Sequence, residues 1–214
     1  MGLLKIRYIR GTQRSQRIEA LSDGVFAIVM TILVLELAIE GKGSLADELL
    51  DMVGSEIFQY FMTFIIIGSF WLVQFYQFRY IDRVDSVLIW LNILFLATVA
   101  LLPFSYSLLF RGEQELIAMR FYTVNILSSL LLLYIHWEWA TRNRRLVDGN
   151  IPSDEVKLLK VLMGLNIFSG LLAIGVSFFD YRLSLSVFGV LALIVLGLLV
   201  LLGGSFGEPI KENQ

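Results

Sequence analysis

The sequence contains no cysteine, one histidine and few charged residues. Without cysteine the chain forms no disulfide and no thiolate metal site, and the single His136 argues against a histidine-rich metal site. Charged residues make up 17% of the chain, against about 25% in an average soluble domain. The net charge of −2 gives no sign of nucleic-acid binding. Apolar residues make up 57% and form several long uncharged runs, which indicates an integral membrane protein.

The uncharged runs predict an all-α polytopic membrane protein with six transmembrane helices in one domain, residues 1–214. No soluble domain, repeat or low-complexity tract separates these runs. Pro103 is expected to kink the third helix, because proline removes one backbone hydrogen bond. The six predicted helices cover about residues 22–39, 57–78, 86–110, 116–139, 158–179 and 183–202.

Basic residues are distributed unevenly between the two sides that six spans define. One side holds 13 of the 17 lysine and arginine residues. This side comprises the N-terminus, the turn between predicted helices 2 and 3, the loop between helices 4 and 5, and the C-terminal tail. Cytoplasmic loops of membrane proteins are enriched in these residues. Both termini are therefore predicted to lie in the cytoplasm, with the protein in the cell membrane. The acidic connection over residues 40–56 is then predicted to face outward.

The first predicted helix has two unlike faces. Its uninterrupted apolar part is shorter than the ~20 residues that usually cross hydrocarbon, which suits a helix shielded from lipid or lining water. Ser22 and Asp23 fall roughly opposite an apolar stripe and are also compatible with a simple helix N-cap. The stripe itself could be a helix–helix packing seam. A step of about 100° per residue places these residues on it: Ile28, Thr31, Ile32 and Leu35.

Four short motifs resemble the transmembrane protein 175 family of potassium channels. Residues 17–23, RIEALSD, are similar to the family's R-x-x-x-F-S-D, with leucine where phenylalanine is usual. Residues 70–74, FWLVQ, resemble F-W-x-x-H, with glutamine in the histidine position. Residues 91–95, LNILF, and 102–104, LPF, add to the likeness. By motif, the resemblance covers about residues 14–110.

The resemblance implies a potassium-preferring cation channel, a homotetramer with four copies of the first helix around a central pore. No cofactor is implied, and the expected partners are further copies of the chain, the lipid bilayer and permeant monovalent cations. The sequence contains no T-V-G-Y-G selectivity filter. Four copies of the apolar stripe would instead form an apolar constriction, which can gate by dewetting. A permeating K+ ion is expected to contact Thr31 and Ile28 transiently. The implied pore-lining residues are Ile28, Thr31, Ile32 and Leu35.

A second group of residues is implied to form a packing network that holds the first helix. Glutamine at position 74 can hydrogen-bond but cannot titrate, unlike the family's histidine. Glu36, near the outer mouth, is expected to raise the local cation concentration. Asn92, Asn125 and Asn166 are expected to bond between helices. The implied network consists of Arg17, Ser22, Asp23, Trp71, Gln74 and Asn92.

Other functions remain open from the residues alone. A secondary or proton-coupled cation transporter would use Asp23, Glu36 or Glu138 as its titrating group. A membrane enzyme has almost no support, because no lipid-buried carboxylate pair and no Ser/His pairing is evident. His136 is expected at the membrane interface. Glu138 is expected either to extend its carboxylate toward the interface or to pair with the arginines of residues 142–145.

Overall fold

The computed structural model describes residues 12–37, 56–110, 115–149, 151–176 and 178. Over these residues the chain forms a bundle of α-helices with no named strand. Short 3-10 turns follow α1, α4 and α5 at Val34–Glu36, Leu108–Phe110 and Arg142–Arg144. The helices are α1 (Thr12–Leu33), α2 (Glu56–Tyr80), α3 (Ser86–Ala100), α4 (Leu102–Ser107), α5 (Glu115–Thr141) and α6 (Ser153–Val176).

Within the part of the chain that the structure describes, five segments are long and apolar enough to cross a membrane, with α3 and α4 counted as one. The all-α fold is confirmed, whereas the sixth predicted helix, 183–202, and the acidic connection, 40–56, lie largely or wholly outside the described residues. The first helix begins at Thr12 and not near residue 22. Its polar lead-in holds good helix formers (arginine, glutamine, glutamate and alanine) and neither proline nor glycine, so the helix extends below the apolar run.

Pro103 divides the third predicted helix, as expected. The chain leaves α3 at Ala100 and enters α4 at Leu102, with the proline in the first turn of α4. Leu101 between them keeps helical angles, φ −81° and ψ −12°, so α3 and α4 together form one span, Ser86–Ser107. Proline is tolerated at this place because the first N–H groups of a helix have no intrahelical partner.

The core lies between α1, α2, α3 and α5. In a bilayer, lipid is as apolar as leucine, so close packing and interhelical hydrogen bonds hold such helices together. Both kinds of contact are present. Asn125 Nδ2 donates to Ser105 Oγ at 3.0 Å, and Ser129 Oγ donates to Thr98 Oγ1 at 3.0 Å. Apolar side chains that are at most 1% exposed include Leu33, Ile67, Phe95, Val99 and Ile126.

Backbone hydrogen bonds fasten together the two connections at one end of the bundle. The N–H groups of Asp82 and Arg83, between α2 and α3, donate to the carbonyl of Leu146, between α5 and α6, at 3.0 and 3.1 Å. Ser15 Oγ lies 3.5 Å from the carbonyl oxygen of Ile81, which brings the N-terminal part of α1 to the same end. We call this the basic end after its arginines, Arg79, Arg83, Arg142, Arg144 and Arg145.

Asp85 joins three elements at the basic end. It caps α3 by accepting a hydrogen bond from Leu88 N at 2.8 Å, and its oxygens accept from Trp139 Nε1 at 3.1 and 3.2 Å. Arg145 lies 3.6 Å from the carboxylate, and its guanidinium stacks 4.2 Å from the Trp139 ring centroid. Asp85 is only 1% exposed, so its charge depends on these partners for compensation.

His136 lies inside the bundle and not on its outer surface. The side chain is 1% exposed and packs between helices, with Nδ1 2.8 Å from Gln77 Oε1. Gln77 Nε2 donates to the carbonyl of Leu133 at 3.1 Å, which leaves Gln77 Oε1 as the acceptor. The hydrogen bond therefore assigns the histidine proton to Nδ1. Hydropathy placed the residue near a span end but could not tell which face of α5 it occupies.

Two predicted pairings of polar side chains on α5 and α6 are wrong. Glu138 pairs with Lys160 at 2.7 Å and not with the arginines of residues 142–145. Asn166 donates to the carbonyl of Leu162 in its own helix at 3.3 Å. Lys160 lies on α6, which packs beside α5, and sequence alone does not give that neighbour for Glu138. Asn166 instead uses the carbonyl four residues earlier in its own helix. Asn92 and Asn125 do bond between helices, as predicted.

Replacing Asp85 with alanine should remove the α3 cap and leave Arg145 without its counter-ion. We expect the free energy of unfolding to fall by about 3 kcal/mol, since breaking a buried pair strands the remaining charge. The measurement is the midpoint of thermal unfolding of the detergent-solubilised protein. Asp82→Ala, an exposed carboxylate in the same turn, is the matched control and should change little. Equal shifts in the two variants would contradict the assignment.

Candidate functional site

One hydroxyl and two amides meet where α1, α2 and α3 come together. Gln74 Nε2 donates to Asn92 Oδ1 at 2.5 Å and to Ser22 Oγ at 3.2 Å. Asn92 Nδ2 donates to Ser22 Oγ at 3.3 Å. All three residues are 1–2% exposed. We call this group the buried polar triad; it cross-links three helices.

The triad leaves the serine hydroxyl no spare hydrogen-bonding capacity. Ser22 Oγ donates its one hydrogen to the carbonyl of Ile18 at 2.9 Å, and both lone pairs receive amide hydrogens. A saturated hydroxyl fixes the orientation of the amides around it. The rotation of α1 relative to α2 and α3 is therefore set at Ser22.

A second contact joins α1 to α2 beside the triad. Trp71 Nε1 donates to Asp23 Oδ1 at 2.8 Å, and the indole stacks on Phe75 with ring centroids 5.7 Å apart. Unlike the triad, Asp23 and Trp71 are exposed, so this contact borders open space. A cavity of about 230 Å³ lies there, lined by Glu19, Ser22, Asp23, Trp71, Gln74, Phe75, Phe78 and Arg79.

Helical spacing could have found part of this cavity lining. Glu19 precedes Asp23 by four residues, and Phe75 follows Trp71 by four, so each lies on the same helix face as a motif residue. The motifs drew attention to Ser22, Asp23, Trp71 and Gln74, but not to Glu19 or Phe75. Among the described residues, no group of three or more histidine, cysteine, aspartate or glutamate side chains could hold a metal ion.

Arg17 stands apart from the other five residues of the implied network. Its side chain is exposed, and none of the described residues makes a hydrogen bond or ion pair with it. The nearby carboxylates are on other faces of α1, where Glu19 accepts from Ser15 Oγ at 2.9 Å and Asp23 accepts from Trp71. The structure thus brings together Ser22, Gln74 and Asn92, pairs Asp23 with Trp71, and leaves Arg17 outside.

The side of α1 that faces away from the triad is an exposed apolar ridge. Ile28 is 58% exposed, Ile32 41% and Leu35 76%. Thr31 is exposed as well, and its Oγ1 donates to the carbonyl of Ile28 at 2.8 Å. With its hydrogen used inside the helix, the hydroxyl presents only lone pairs outward, as a cation ligand would. These four residues are the α1 ridge.

The α1 ridge borders a groove of about 360 Å³ against the end of α3 and the start of α4. Glu36, in the 3-10 turn after α1, is partly buried and lines the groove at the end of the ridge remote from the basic end. The groove lining comprises Val25, Ile28, Val29, Ile32, Glu36, Ala100, Pro103 and Phe104.

These features define a multi-pass α-helical membrane protein whose first helix buries one polar face in the bundle and exposes an apolar ridge. A sequence model of the family described as endosomal/lysosomal potassium channel TMEM175 matches residues 17–103. A potassium channel of Streptomyces collinus is 31% identical over 186 residues, which cover 84% of this chain and 90% of that one. The chain belongs to the TMEM175 family.

Other members extend the comparison to a solved structure and to vertebrates. A crystal structure of a lysosomal potassium-selective channel TMEM175 homolog from Chamaesiphon minutus superposes with a TM-score of 0.75 at 28% identity, over 86% of this chain and 97% of that one. The endosomal/lysosomal proton channel TMEM175 of Danio rerio is 26% identical over 131 residues, which cover 58% of this chain. This match spans only 25% of the fish protein.

Replacing Gln74 with leucine should strand the hydrogen-bonding groups of Ser22 and Asn92 in the interior. We expect the free energy of unfolding to fall by about 2 kcal/mol, the cost of unsatisfied buried polar groups. Gln59→Leu, a partly exposed glutamine of the same helix, is the control and should be nearly neutral. Thermal unfolding in detergent measures both. A Gln74→Leu protein as stable as the control would show that the triad does not hold α1.

Proposed function

We propose that the protein is a potassium-preferring cation channel of the cell membrane, in which α1 of four subunits lines a central pore. The observation that carries this proposal is the α1 ridge, an apolar surface left exposed by a helix that is otherwise fixed to its bundle. In the assembled channel the ridges face the pore axis, and the buried polar triad holds each of them at a fixed angle.

The length of the apolar part of α1 favours a pore over lipid as the neighbour of the ridge. Between Asp23 and Glu36 the uncharged residues 24–35 extend about 18 Å along the helix axis. The hydrocarbon core is about 30 Å thick. By contrast, the uncharged residues 57–78 of α2 extend about 33 Å. A helix with charges at such short spacing is suited to a water-filled passage.

Rings of Ile28, Ile32 and Leu35 would form an apolar constriction that opens and closes by wetting. Thr31 supplies the outward lone pairs that a partly dehydrated cation would meet beside Ile28. A narrow throat with few ligands favours the ion that loses water more cheaply, which is K+ over Na+. Glu36, at the far end of the ridge, would raise the local cation concentration.

The names of the relatives support conduction of K+, with one divergence. The Streptomyces and Chamaesiphon proteins are called potassium channels, whereas the Danio protein is called a proton channel. In this chain the triad has glutamine at position 74, which does not titrate. We therefore assign K+ as the permeant ion, with no protonation step in the triad. The relatives are channels and not enzymes.

The basic end is proposed to face the cytoplasm. It gathers the arginines of the α2–α3 and α5–α6 connections together with the N-terminal part of α1, in agreement with the positive-inside distribution. The partners in this arrangement are three further copies of the chain, lipid and monovalent cations. The alternative, a secondary or proton-coupled cation transporter, predicts coupled flux that saturates.

Reconstitution into liposomes separates the channel from the transporter. Under an imposed potassium gradient, a channel gives a current that reverses near the potassium equilibrium potential and needs no counter-ion. We expect this current, and no flux in a proton gradient alone. Saturable flux that requires a proton gradient would replace the channel proposal with the transporter. A current that reverses at the proton equilibrium potential would instead identify H+ as the permeant ion, as in the name of the Danio protein.

Substituting Ile28 with asparagine tests the constriction directly. A polar ring in the throat should stay wet, so potassium current should rise several-fold and the preference for K+ over Na+ should weaken. Leu165→Asn is the matched control, because Leu165 is similarly exposed at 49% but lies on α6. Its currents should resemble those of the wild type. Unchanged conduction in Ile28→Asn would remove Ile28 from the pore.

A further inference from the structure

Arg17 lies on the same face of α1 as the ridge. The helix is continuous from Thr12 to Leu33, so its periodicity holds without a break from Arg17 to Ile28. Arg17 precedes Ile28 by eleven residues, close to three full turns, which places the two side chains nearly in line. Leu21, between them on the same line, is 52% exposed. The exposed face of α1 therefore carries one basic residue below its apolar ridge.

The charge of Arg17 has no partner among the described residues. Glu19 is two residues away and cannot face it on a helix, and Asp23 is a third of a turn round. Both carboxylates already accept hydrogen bonds, from Ser15 and Trp71 respectively. A positive charge that is exposed and unpaired acts on its surroundings through space, over a range set by the salt concentration.

The position of Arg17 along the axis is at one mouth of the proposed pore. Eleven residues of helix separate it from Ile28 by about 16 Å. Ser15, two residues earlier, contacts the carbonyl of Ile81, so Arg17 lies close to the basic end. Glu36 marks the other end of the ridge. The two mouths of the pore thus carry charges of opposite sign.

We propose that the four Arg17 side chains form a positively charged ring at the basic-end mouth, which lowers the local K+ concentration and limits cation entry from that side. This inference rests on the proposed function, since it requires four ridges around one axis. Arg17 is then a conductance-determining residue and not a member of the packing network. Fields from charged rings at pore mouths change local ion concentration by an amount that falls steeply with ionic strength.

Excised patches of fixed orientation test the ring without any substitution. In symmetric 10 mM KCl, where the screening length is about 30 Å, current entering from the basic end should be about threefold smaller than current in the other direction. In symmetric 1 M KCl, where the length is about 3 Å, the two currents should be nearly equal. Equal currents at 10 mM KCl would overturn the proposal.

Substitution then assigns the asymmetry to Arg17. Arg17→Gln should raise the current from the basic end about threefold at 10 mM KCl and hardly at 1 M KCl, whereas Arg17→Lys should behave as the wild type. Arg83→Gln is the matched control, an exposed arginine at the same end but in the α2–α3 turn. An asymmetry that is as large in Arg17→Gln as in the wild type, or that Arg83→Gln also abolishes, would place its source elsewhere.

Two outcomes distinguish this proposal from the one on which it depends. If Ile28→Asn alters conduction but Arg17→Gln leaves the salt-dependent asymmetry intact, the pore stands and the ring is refuted. If Arg17 is a packing residue, Arg17→Gln and Arg17→Lys should both lower the thermal midpoint and reduce current equally at the two salt concentrations. That result too would refute the ring, while leaving the pore in place.

Discussion

The need to partner every buried polar group inside a bilayer governs this structure, and the buried polar triad is where it is met most fully. An unpaired amide or hydroxyl in hydrocarbon costs several kcal/mol. Ser22, Gln74 and Asn92 avoid that cost only if α1, α2 and α3 meet at one rotation. Apolar contacts alone would tolerate other rotations of α1, since leucine and lipid are equivalent neighbours. The triad therefore supplies the specificity that packing lacks.

Fixing the polar face of α1 also fixes what its opposite face does. Once Ser22 is turned inward, helical geometry leaves Ile28, Ile32 and Leu35 outside the bundle. The same rotation places Arg17 outward and Asp23 at the edge, beside Trp71. One hydrogen-bonded contact thus determines which residues are available to a passage for ions.

The sequence predicted much of this arrangement because periodicity and hydropathy are local properties. The two faces of α1 follow from spacing, the helix break before Pro103 follows from the proline, and the grouping of Gln74 with Asn92 follows from the family resemblance. The structure departs from prediction where the outcome depends on which helix lies alongside. His136 is buried against Gln77, and Glu138 pairs with Lys160, because α2 and α6 flank α5, and no spacing within α5 reveals its neighbours. The start of α1 at Thr12 was missed because polar helix formers give no apolar period.

Glutamine at position 74 suits the triad because its side chain can donate two hydrogen bonds. Its amide nitrogen has two hydrogens, and they serve Asn92 Oδ1 and Ser22 Oγ at once. A neutral histidine, the usual family residue in the resemblance, has a single N–H and could serve only one of these acceptors. It would need a second proton, and hence a charge, to supply two donors. Gln74 thus provides the donor number of a charged imidazolium while remaining neutral, so the fastening of α1 in this chain does not depend on proton uptake at that position.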